Sequence, residues 1–233
     1  MSSKPTPPPK QADRAAERRE RVRLEQRHKL RRRRVRIAGI IAAVAAIAIV
    51  LVVVFVVLPS PSRSGPQATL STTKGPWAIP SNAAPYIAAA GLQALGQEQT
   101  NFHYHAHLEV FVNGTRVTVP QYVGFEIANG NAIGLSSLHT HDTSGIIHIE
   151  SSTNVPFILG QFFTQWGVRL GRGELGGWVD GGGKSLRTYV GGHLFNGDPS
   201  TIVLRRHEEI VLWYGPRSQT PSVPSSYQFP AGV

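Results

Sequence analysis

Leu135-Ser136-Ser137-Leu138-His139-Thr140-His141-Asp142-Thr143-Ser144-Gly145-Ile146-Ile147-His148-Ile149-Glu150-Ser151 reads as strand, turn, strand. Asp142-Thr143-Ser144-Gly145 is a polar turn closed by glycine, and the residues on either side alternate with the period of two that sends successive side chains to opposite sheet faces. Pairing Asp142 with Gly145 sets His141 opposite Ile146, Thr140 opposite Ile147 and His139 opposite His148. Leu138, Thr140, Ile147 and Ile149 then share one face, and Ser137, His139, His141, His148 and Glu150 share the other. The hairpin separates a core-forming face from a face of imidazoles and one carboxylate.

The same separation recurs upstream. Residues 103–112, Asn113-Gly114 and residues 115–119 read as a second hairpin, because Asn-Gly accepts the positive φ of a type I′ turn. That turn also accounts for the formal glycosylation sequon Asn113-Gly114-Thr115, so no sugar is assigned. The register sets Val112 against Thr115, Val110 against Val117 and Leu108 against Val119, on a face shared with Tyr104 and Ala106. His103, His105, His107, Glu109 and Phe111 take the other face. Six histidines thus fall within 46 residues, all on polar strand faces.

Around the hairpins, residues 83–95 read as a short helix. Residues 156–166 read as an amphipathic one, with Leu159, Phe162, Phe163 and Trp166 on the i, i+3, i+4, i+7 stripe and Gly167 placed to end it. Residues 171–183 are glycine-rich and read as loop; 186–190, 201–204 and 210–214 read as strands. Gly171-Arg172-Gly173-Glu174-Leu175-Gly176 follows a helix instead of a strand, so it fails as a dinucleotide fingerprint. The fold class is α+β: a mainly antiparallel β domain with one packed helix, preceded by a single transmembrane helix.

The last element of that description comes from charge and hydropathy. Residues 1–36 carry 14 Lys and Arg against 4 Asp and Glu, and the rest of the chain carries 10 of each. The folded part therefore has no basic bias, and no nucleic-acid partner is expected. Residues 37–58 are 22 apolar or small residues without charge or proline, long enough to cross a hydrocarbon core of ~30 Å. Arg31-Arg32-Arg33-Arg34-Val35-Arg36 flanks the N-terminal end only, so the positive-inside rule places the N-terminus in the cytoplasm. The expected organisation is a basic cytoplasmic tail (1–36), a membrane-spanning helix (37–58) whose partner is the lipid bilayer, a Pro/Ser/Gly linker (59–76) and an extracytoplasmic domain (77–233).

The chain has no cysteine and a single methionine, Met1, which excludes disulfides, thiolate metal sites and a cysteine nucleophile. Imidazole is the commonest metal-binding side chain. Residues two apart on a strand are ~7 Å apart and directly opposed ones ~4.5–5.5 Å between β-carbons, so His-x-His spacing and cross-strand pairs can converge on one ion. The candidate metal ligands are His103, His105, His107, His139, His141 and His148, with Asp142 and Glu150 as carboxylate ligands or orienters. An imidazole and carboxylate set outside the cytoplasm favours copper or zinc, with affinity falling as the histidines protonate near ~6.5. His193 and His207 stand alone and read as solvated loop residues.

The central segment 138–151, with His103-Tyr104-His105-Ala106-His107-Leu108 and Leu159-Gly160-Gln161-Phe162-Phe163-Thr164-Gln165-Trp166-Gly167, resembles a group of membrane-anchored bacterial and archaeal proteins to which no activity is assigned. The resemblance covers roughly residues 77–230 and implies one domain; it implies no reaction. Three function classes follow from the residues themselves. A metal carrier or store would saturate its ligands. A metal-dependent enzyme would keep an open position beside a pocket, with Trp178 and the glycine-rich loop as candidate walls. A structural or interaction module of the cell envelope would leave the imidazoles solvated and diverging. For the topology, protease added to intact spheroplasts should remove residues 59–233; digestion of the Arg-rich tail with a protected C-terminal domain would reverse the orientation.

Overall fold

The computed structural model describes residues 67–99 and 101–233. The expectations for 1–36, 37–58 and the first part of the linker lie outside the described residues. Among the described residues no helix is long and apolar enough to cross a membrane. In chain order the elements are α1 (Ala84–Ala89), β1 (Ala94–Leu95), β2 (Phe102–Val112), β3 (Thr115–Val117), β4 (Phe125–Ala128), β5 (Asn131–Ser136), β6 (Leu138–His139) and β7 (Ile146–Ser151). They continue with α2 (Leu159–Trp166), β8 (Leu170–Gly171), β9 (Glu174–Leu175), β10 (Trp178–Val179), β11 (Lys184–Val190), β12 (His193–Phe195), a 3-10 turn at Pro199–Thr201 and β13 (Glu209–Pro216).

The upstream hairpin folds in the register its pattern specifies. Val112 pairs with Thr115 and Val110 with Val117, and Asn113 and Gly114 both take positive φ, at 50° and 82°. Beyond Val117 the pairing stops, and on that edge of β2 Leu108 N donates to Gly145 O (2.9 Å) instead of pairing with Val119. β2 is the spine of the main sheet, whose order is β12-β11-β13-β2-β7-β6. All of its ladders are antiparallel except β2 with β13, which run parallel. β7 pairs with the first half of β2, from Phe102 against Ser151 to His107 against Ile146.

The downstream hairpin is shorter than its alternation suggests. Only Leu138 against Ile149 and His139 against His148 form ladder pairs. Residues 131–136 belong to a separate three-stranded sheet, β1-β5-β4. The chain changes sheet at Ser136, whose N–H donates to Gly124 O (2.8 Å) and whose Oγ accepts from Leu138 N (3.4 Å). On the other side of His139, Thr140 turns away from Ile147 toward the 120–123 segment: its N–H donates to Val123 O and its Oγ1 to Pro120 O. Gly124 (φ +79°) permits this close approach, since a Cβ there would run into the Leu138 carbonyl oxygen.

α2 packs on the opposite face. Leu159, Phe162, Phe163 and Trp166 are buried against Ala106, Leu108, Val110, Leu138, Ile147 and Ile149 in one core. The helix starts at Leu159, because Ile158 is held extended, bridging Val203, and Leu159 N donates to Ile202 O. Gly167 ends it in the left-handed conformation (φ 73°). Most of the loop expected over 171–183 belongs instead to a small meander, β8-β9-β10, over residues 170–179, and 180–183 make the turn into β11. Residues 67–76, expected as linker, lie against the domain: Ser71 N donates to Gly167 O (2.7 Å) and Trp77 Nε1 to Thr73 O (2.9 Å). Phe162 is fully buried, so Phe162→Ala should lower unfolding free energy by about 3–5 kcal/mol. Denaturant unfolding of the purified chain measures it; an unchanged midpoint would show that α2 does not pack in the core.

Candidate metal centre

The antiparallel ladders set His105 against His148 and His148 against His139, a lateral row of three imidazoles across β2, β7 and β6. His103 pairs with Glu150 one step along the same face. His141 follows His139 by two residues and closes on it from the end of the strand. The result is a set of overlapping groups whose donor atoms lie within 4.8 Å of one another: His103, His105 and His148; His139, His141 and His148; and Glu98, His139 and Glu150.

His139 is the best-defined donor. Its ring is fully buried. Nδ1 lies 2.8 Å from Ser136 O, and a carbonyl accepts only, so the ring proton sits on Nδ1. Nε2 therefore presents its lone pair to the cluster, 3.1 Å from His141 Nε2 and 3.7 Å from Glu150 Oε1. A backbone carbonyl that fixes the tautomer through the distal ring nitrogen is the usual outer support of a metal-ligating histidine. Phe125 of β4 walls this side, edge-on to His139 and His141 at 5.3 and 5.5 Å between ring centres.

The rest of the cluster is short of hydrogen-bond donors and positive charge. His105 Nε2 lies 3.1 Å from His148 Nδ1. Glu150 is buried, its side chain 2% exposed. Its Oε2 accepts from Gln99 N at 3.0 Å. Its Oε1, together with His103 Nε2 and His105 Nδ1, is buried without a hydrogen-bond partner among the described residues. Oε1 is 3.4 Å from His103 Nε2. Buried polar atoms left unpaired cost about 1–3 kcal/mol each, and three of them converge here. Burial, reinforced by neighbouring imidazoles, lowers His105 to about 4, His139 to about 4 and His148 to about 3. For His139 the Ser136 carbonyl opposes the shift. Burial pushes Glu150 up, against the Gln99 N–H. These three imidazoles are thus neutral, the ligand form, well below the ~6.5 expected of free histidine.

Two of the eight candidate ligands lie apart. Asp142 is exposed and its Oδ1 accepts from Ser144 N (2.8 Å), holding the turn. His107 has both ring nitrogens engaged, Nδ1 with Glu209 Oε2 (2.7 Å) and Nε2 with Ser144 O (3.0 Å), and Tyr227 stacks on it at 3.6 Å. The parallel β13 neighbour brings Glu209 there. Glu98 joins the cluster, with Oε1 3.6 Å from His141 Nε2. It lies in the aperiodic segment Gln97-Glu98-Gln99, which carries no signal of strand face or motif. Trp178 packs against Tyr214 and under Lys74, and supplies no wall to the imidazoles.

No protein-family model, curated protein or solved structure matches the chain, so the reading of the site rests on its geometry.

Depressed histidines tie stability to pH. Between ~6.5 and about 4 the unfolded chain binds the protons that His105, His139 and His148 refuse when folded, so stability falls as pH falls through that window. Each such proton contributes a slope of up to about 1.4 kcal/mol per pH unit; the raised Glu150 works in the opposite sense. Denaturant titrations of the metal-free chain at pH 7.5, 5.5 and 4.5 should show the loss, with a shallower dependence in His148→Asn. Equal slopes in the two proteins would show that His148 is not held neutral by the fold.

Proposed function

We propose that this chain is a transition-metal-binding protein, anchored in the membrane by residues 37–58, that holds its ion outside the cytoplasm on the imidazole face of β2, β7 and β6. The observation that carries this reading is the arrangement at His139: a buried ring, its proton fixed by Ser136 O, its free Nε2 aimed at His141 Nε2 and at the unpartnered Glu150 Oε1. Metal–nitrogen bonds of ~2.0–2.1 Å put tetrahedral donor atoms roughly 3.3–3.4 Å apart. The donor separations of 3.1, 3.4 and 3.7 Å bracket that value. A cation would also supply the charge that the buried carboxylate lacks. With imidazole and carboxylate donors and no thiolate, copper(II) and zinc(II) are the ions of choice. The anchoring rests on the 22-residue apolar run and its one-sided basic block.

A metal-dependent enzyme is the second reading. It is favoured by the open side of the cluster: the His141 side chain is 41% exposed and that of His103 36%. A position facing solvent is what a catalytic metal keeps for water or substrate.

Elemental analysis of the full chain, purified without a histidine tag, and calorimetric titration with zinc(II) or copper(II) at pH 7.5 test the binding. His139→Ala and His148→Ala should each weaken it by more than the ~10–100-fold typical of outer-shell substitutions, and His207→Ala should leave it unchanged. Tight stoichiometric binding that survives the His139/His148 double substitution would place the site elsewhere.

A further inference from the structure

The cluster holds more donors than one ion uses. Five imidazoles and two carboxylates, Glu98 and Glu150, take part in the overlapping groups. A tetrahedral ion takes four ligands, and groups sharing it lie within about 4.2 Å of each other, twice a bond of ~2.0–2.1 Å. His105 and His139 stand on either side of His148 in the row, two strand spacings or roughly 9.5 Å apart at the backbone. They belong to different triads, and His148 is the member common to both. His148 Nδ1 faces His105 Nε2 at 3.1 Å. When both triads are filled, the ring nitrogen left for His139 and His141 is Nε2. Glu150 Oε1 also lies between the halves, 3.4 Å from His103 Nε2 and 3.7 Å from His139 Nε2. Of the buried unpartnered atoms among the described residues, His103 Nε2 and His105 Nδ1 belong to the first triad, and Glu150 Oε1 lies between the two.

We propose that the site is a two-metal centre for a pair of divalent first-row transition ions, bridged by His148. One ion sits on His103, His105 and Nδ1 of His148, and the other on His139, His141 and Nε2 of His148. This rests on the metal-binding reading above. Neutral histidine carries one ring N–H. When the second ion arrives, that N–H bond breaks, its proton leaves to solvent, and the freed electron pair forms the new metal–nitrogen bond. No oxidation state changes. The bridging imidazolate adds a negative charge to that of Glu150, which offsets the second dication. Bonds of ~2.0–2.1 Å on both ring nitrogens set the ions roughly 6 Å apart, close enough for two copper(II) spins to couple through the ring.

The test titrates the metal-free full chain with copper(II) in a buffer containing a weak competing chelator, which keeps isolated histidines such as His193 and His207 unloaded. Retained copper is counted by elemental analysis and spins by electron paramagnetic resonance. Two copper ions per chain are expected, with integrated spin intensity rising over the first equivalent and falling over the second. His105→Gln, its fold checked by circular dichroism, should retain one copper with full spin intensity. Saturation of the wild type at one copper with full intensity would overturn the two-metal centre and leave the single-site reading standing. Two coppers with full, uncoupled intensity would overturn the His148 bridge. Coupled copper pairs in His105→Gln would overturn the ligand assignment, and no retained copper would remove the metal-binding reading along with it.

Discussion

β7 is paired on both edges, with β2 on one side and β6 on the other, and the registers of those two ladders determine everything at the site. They are enforced from the opposite face. Ile147 and Ile149 flank His148 along the strand, and both are fully buried among Leu138, Ala106 and the aromatic stripe of α2. Burying an aliphatic side chain of this size contributes about 1.5–3 kcal/mol. A one-residue slip in either ladder would turn these isoleucines to the polar side and drive His148 into the core. Ordinary hydrophobic packing on one face therefore holds a costly concentration of imidazoles on the other. The turn that joins β6 to β7 is fitted as tightly, since a Cβ at Gly145 (φ +97°) would run into the Leu108 carbonyl oxygen.

The two outcomes for histidine on this face show what distinguishes a candidate ligand from a structural residue. His107 lies two residues beyond His105 on the same side of β2, yet all of its hydrogen-bonding capacity is used. Its Nε2 donates to Ser144 O and its Nδ1 is hydrogen-bonded to Glu209 Oε2, so it ties β2 to β13 and to the turn before β7. Among the described residues His105, His139 and His148 have no carboxylate at hydrogen-bond distance; they stay neutral because of burial and share their face with Glu150, whose Oε1 has no hydrogen-bond partner among those residues. In a region of low effective dielectric such a group is poorly solvated by protein alone. A bound cation is the simplest partner for the whole set at once.

Local features of this architecture were legible in the chain and distant ones were not. Alternation of imidazole with aliphatic side chains separated the two faces, and short turns defined His139 against His148 and Val110 against Val117. The α2 stripe and Gly167 were equally plain, being contained within a dozen residues. The parallel β2–β13 ladder joins residues about a hundred positions apart, with no turn to announce it, and with it went the partner of His107. The split of 135–141 between two sheets was hidden because alternation looks the same whichever sheet a strand joins. Glu98 reaches His141 only through tertiary packing. Asp142, adjacent to His141, looked like a ligand from its position, but Asp in a tight turn bonds its own backbone two residues on, as it does here to Ser144 N.

The proposed metal lies among neutral imidazoles of β2, β7 and β6, buried at His105 and His139 and half-buried at His148. Diffraction from crystals of the chain loaded with zinc or copper, recorded on both sides of that metal's absorption edge, tests it most directly. Anomalous density is expected within bonding distance, ~2.0–2.1 Å, of His139 Nε2 and of a ring nitrogen of His148. Fully loaded crystals with no anomalous density between β2 and β6, or with density only at His193, His207 or the His107–Glu209 pair, would contradict it.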